Sequence, residues 1–128
     1  MCNLWFLDSG TYGEKGVSKY ARVEQDQIDW YTSTAAALED QYGEMLPAYL
    51  FQHIIVPEIY DLLTEVPASE KKAEGVVKGF SSHSGHYYKM GDGFTAGHLG
   101  EAPCPPDIPS GEFAAMRDTG DVAAAFFG

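Results

Sequence analysis

The chain has 128 residues, 45% of them hydrophobic and 13% aromatic, which is enough for one globular core and too apolar for a disordered or collagen-like segment. Nineteen Asp and Glu against eight Lys and Arg give a formal charge of -11, which repels a polyphosphate backbone and an anionic lipid surface and argues against nucleic acid and membrane as partners. Cys2 and Cys104 form neither a disulfide framework nor a zinc ribbon, and no apolar run reaches the length of a membrane span.

Leu4, Trp5, Phe6 and Leu7 form an uninterrupted apolar row ending at Asp8-Ser9-Gly10, and a continuous row predicts a strand covered on both faces. Thr11 to Ala21 reads as a loop. From Glu24 to Gly43 the spacing of Ile28, Tyr31, Ala35, Leu38 and Tyr42 predicts a helix that Gly43 stops. Ala48 to Phe51 predicts a second strand running into Gln52-His53, and Pro57 suits the first turn of a short helix over Glu58 to Glu65. From Pro67 to Gly111 glycine and proline dominate, His83, His86 and His98 cluster, and apolar periodicity is lost, which predicts a long irregular loop. A short helix around Phe113 and Met116 closes at Gly120, and Val122 to Phe127 predicts a third buried strand.

Strands alternating with helices imply an α/β fold with a mainly parallel sheet and helices packed on it. In such a sheet the C-terminal strand ends share one edge, where ligands bind. Asp8 and His53 would both be delivered there, and either can ligate a hard metal or move a proton.

The strings from Leu4 to Gly10, from Gln27 to Tyr31 and from Pro47 to Glu58, followed by Pro109 to Phe113 and Gly120 to Gly128, resemble the later half of the calcineurin-like metallophosphoesterases, in particular the purple-acid-phosphatase-like phosphohydrolases. The matches keep the family order and cover most of the chain outside Ser69 to Gly100. The resemblance implies part of the family's sandwich and, for the complete protein, a centre of divalent Mn, Fe or Zn that hydrolyses a small-molecule phosphate ester. His53 matches the metal-ligand histidine of the family's "FHiPlpE" motif. Asp8 and Glu58 match their segments without a ligand role. The family's earlier Asp-x-His, Gly-Asp and Gly-Asn-His motifs have no counterpart, and Gly128 stands where its "GHDH" begins. The expectation is therefore a single incomplete domain over residues 1 to 128, with a loop-rich insertion at about 67 to 111 and no substantial turnover by itself. The alternative expectation is a non-catalytic scaffold that self-associates, as a homo-oligomer, through an exposed sheet edge.

Two local signals compete. His83, His86 and His98 with Asp92 and Cys104 could form a separate metal site, but Ser81, Ser82 and Gly85 argue against the helix that the His83 and His86 spacing requires, so a solvated loop is expected. Ser9 beside His53 lacks the nucleophile elbow of a serine hydrolase.

Overall fold

The computed structural model describes all residues 1–128. The elements run β1 (Asn3–Phe6), α1 (Gln25–Tyr42), β2 (Ala48–Gln52), a 3-10 segment (Pro57–Leu62), β3 (Leu63–Val66), β4 (Val77–Lys78), β5 (Tyr87–Met90), α2 (Glu112–Thr119) and β6 (Val122–Phe127). They form a mixed α/β fold with two small sheets. The first is parallel in the order β1-β2-β6, and the second is antiparallel in the order β3-β5-β4.

Helix α1 lies where the periodicity places it, and Gly43 ends it with φ of 73°, a left-handed conformation that costs glycine nothing. Its buried residues Ile28 and Tyr31 join Trp5, Leu7, Ala48, Leu50, Val56 and Met116 of α2 in one core. Both helices therefore cover the same face of the parallel sheet. The strand order explains this: the steps from β1 to β2 and from β2 to β6 go the same way across the sheet, and right-handed crossovers then put both helices on one side.

The opposite face is bare, which corrects the expectation of strands covered on both sides. Leu4 is 55% exposed, Phe6 68%, Tyr49 42% and Phe126 50%. Pairing of Phe6 with Phe51 and of Phe51 with Phe126 lines up three rings, stacked at centroid distances of 5.2 and 4.9 Å. The result is an aromatic ladder crossing all three strands in solvent. The last strand is likewise only half-buried, not the buried strand expected from its apolar sequence.

Two further expectations are corrected. The helix over Glu58 to Glu65 is a 3-10 segment that gives way to β3, because Leu63 to Val66 pairs with Tyr87 to Met90. The stretch from Pro67 to Gly111 is not simply irregular, since β4 and β5 lie within it and complete the antiparallel sheet. Its anchor is Tyr60, buried against His83 and Tyr88, whose hydroxyl donates to the Pro103 carbonyl at 3.0 Å. Asp107 ties the loops together. It accepts from the backbone N–H of Lys19 at 2.9 Å and of Ser82 at 3.0 Å, and from the Ser81 hydroxyl at 2.8 Å. Burial alone would raise its pKa, but these donors outweigh it and hold the carboxyl below its ordinary range.

Candidate functional site

Asp8 and His53 stand two residues beyond the paired Phe6 and Phe51, at the same C-terminal rim of the parallel sheet. The rim residues do different work. Asp8 Oδ1 accepts from the Gly10 N–H at 2.8 Å, while its own N–H and carbonyl bond the Gln27 amide at 2.9 and 2.8 Å. Its carboxylate thus shapes the turn after β1. Gly10 is required there, because φ is 67° and a Cβ would stand 2.8 Å from that of Ala21.

His53 is exposed, and its Nδ1 lies against a backbone oxygen of Gly128. Around it Phe6, Phe51, Phe126 and Phe127 line an open depression of about 480 Å³. The aromatic ladder leads directly into it.

The backbone just after His53 is held by buried side chains. Ser9 Oγ accepts from the Ile54 N–H at 2.9 Å, and Gln52 Nε2 donates to the Ile54 carbonyl at 2.8 Å. The same amide donates to Glu112 Oε2, at the first turn of α2, at 3.2 Å. Glu112 is only 4% exposed, and its Oε1, like Gln52 Oε1, has no hydrogen-bond partner. Burial, opposed by the Gln52 bond and reinforced by the Glu58 charge, lifts its carboxyl to a pKa of about 7.

At the other end of the sheet Asp121, also buried, accepts from Trp5 Nε1–H at 2.8 Å and from the Tyr31 hydroxyl. Burial first and the Asp121 bond second raise the Tyr31 pKa, so this phenol stays a donor. Gln52, Glu112 and Asp121 were not singled out by the sequence, and Ser9 was weighed only as a nucleophile. A glutamate opening a helix reads as an exposed dipole partner, and an aspartate after glycine reads as a turn.

The residues present do not by themselves fit a two-metal centre. No three His, Cys, Asp or Glu side chains converge anywhere in the fold, and Asp8, the nearest counterpart of His53 on the rim, is engaged by Gly10. Beside the antiparallel sheet His83 stacks on Tyr60 at 3.6 Å and bonds the Tyr88 hydroxyl, and His86 pairs with Glu65 at 2.7 Å. His98 and Asp92 are exposed, and Cys104 Sγ faces the Ala102 carbonyl at 3.4 Å. Comparison with protein-family models, with curated proteins and with solved structures gives no match.

Proposed function

We propose that these residues form one sheet layer of a calcineurin-like metallophosphoesterase domain and contribute His53 as a metal ligand for hydrolysis of a small phosphate ester. The observation that carries the proposal is the one-sided sheet. A three-stranded parallel sheet with both helices on one face and Leu4, Phe6, Tyr49, Phe51 and Phe126 open on the other has the form of half a sandwich, whose second sheet would cover the aromatic ladder. The exposed His53 at the rim of that open face is where a ligand shared between two sheets would stand.

The remaining ligands and the metal would come with the covering layer. The test is hydrolysis of p-nitrophenyl phosphate with added Mn²⁺ by two proteins: the 128-residue chain, and the chain joined to the flanking sequence of its reading frame. Turnover only in the longer protein is the expected result. Turnover by neither would remove the phosphoesterase assignment.

The same open face favours a second function, self-association of a non-catalytic scaffold. β1 and β6 are free edges flanking the aromatic ladder, so a second copy could pair with an edge or cover the face. Sedimentation distinguishes the two, because a dedicated self-association module would dimerise as the longer protein too.

A further inference from the structure

We infer that Glu112 is the positioning residue for His53, acting through the Gln52 side chain to fix the turn from Gln52 to Ile54. The inference builds on the proposed ligand role of His53 and adds the group that sets its orientation.

The chain of contacts is short. Glu112 Oε2 takes one N–H of the Gln52 amide at 3.2 Å, and the other donation from Nε2 goes to the Ile54 carbonyl at 2.8 Å. Ser9 Oγ receives the Ile54 N–H at 2.9 Å. Both backbone groups of Ile54 are thereby held by side chains rather than by a sheet partner, immediately after the residue whose ring reaches the rim. Without Glu112 the Gln52 amide would lose the partner that sets its rotation. A turn held by two side-chain bonds would then open more often.

Ordinary packing does not account for the pair. Glu112 and Gln52 are 4% and 9% exposed, and each leaves its Oε1 without a partner, where apolar side chains would cost less. The bonds the pair does make, Gln52 to Glu112 and Gln52 to the Ile54 carbonyl, run from the first turn of α2 to the residue after the rim histidine. The charge requirement is equally specific. The carboxyl is buried, bonded to the Gln52 amide and faced by the Glu58 charge, with no cation bonded to it, so the group that orients Gln52 near neutral pH carries its proton for much of the time. A neutral amide of the same shape should therefore replace it.

The experiment is amide hydrogen exchange and histidine side-chain NMR on the 128-residue chain at neutral pH. Glu112→Leu should speed exchange of the Ile54 amide by tenfold or more and broaden the His53 ring signals, leaving the Leu50 amide of β2 within twofold of wild type. Glu112→Gln should restore both signals. Gln52→Met, which removes the same contact from the other side, should copy Glu112→Leu and serves if the latter fails to fold. Wild-type exchange at Ile54 and sharp His53 signals in Glu112→Leu or Gln52→Met would overturn the inference, as would equal acceleration at Ile54 and Leu50. The result is independent of metal. If Ile54 responds as described while His53 proves dispensable for turnover, the positioning stands and the ligand role falls.

Discussion

Trp5 in the first strand donates its indole N–H to Asp121 at 2.8 Å, so residues 116 positions apart in sequence are joined at the buried N-terminal end of the parallel sheet. Tyr31 of α1 completes the contact, and Trp5 packs edge-on against it at 5.3 Å. Strand, helix and final strand therefore meet on one carboxylate. Trp5→Phe keeps most of the apolar bulk and removes one of the two donors, and hydrogen bonds to charged groups contribute about 1.5 to 3 kcal/mol. Urea unfolding should show a loss in that range, and Asp121→Ala, which strands both donors, should lose at least as much.

Glu112 gives stability an unusual pH dependence. Its carboxyl is raised from 4.5 to about 7 on folding, so the folded state binds the proton more tightly than the unfolded state. Its contribution is fully present below pH 4.5 and declines as pH rises through 7, with a full span of about 3 kcal/mol. Glu112→Gln has no such proton to lose. The difference between variant and wild type, measured by denaturation from pH 4 to 8, should shift in favour of the variant as pH rises. A constant difference would show that Glu112 is not buried as described.

Asp107 should behave in the opposite sense. Its pKa is lowered by the N–H groups of Lys19 and Ser82 and the Ser81 hydroxyl acting against burial, so its contribution is present above its unfolded value and lost as pH falls through the folded one. Asp107→Asn should loosen the joined loops at neutral pH, seen as faster amide exchange at Lys19 and Ser82, and the difference from wild type should shrink in acid.

The aromatic ladder should be reactive towards partners. Phe6 and Phe126, 68% and 50% exposed, flank Phe51 on the open face. Replacing Phe6 and Phe126 together by Ser should reduce binding of a hydrophobic dye and suppress any concentration-dependent association in sedimentation, with little loss of helix signal. Unchanged dye binding would mean that the exposed rings do not form one patch.

What the sequence made legible followed periodicity and punctuation. Ile28, Tyr31, Ala35 and Leu38 mark α1, Gly43 and Gly120 mark the helix ends, and the alternation of strands and helices places Asp8 and His53 on one rim. The bare sheet face was not legible, because Leu4 and Phe6 are as apolar as Trp5 and Leu7. Only the strand order reveals that no helix crosses to their side. The antiparallel sheet was hidden by its size. Val77 and Lys78 are too few to show alternation, and Tyr87 to Met90 mixes faces. Gln52 and Glu112 are ordinary polar residues until the fold brings positions 60 apart into contact.

The most direct test of the proposed function compares two substitutions in the protein extended by its flanking reading frame. With Mn²⁺ and an aryl phosphate, His53→Ala should lower turnover by two or more orders of magnitude, since removing a ligand weakens both charge neutralisation and activation of the attacking water. His83→Ala, whose ring is stacked on Tyr60 beside the antiparallel sheet, should stay within a few-fold of the parent. Near-normal turnover after His53→Ala would contradict the ligand assignment.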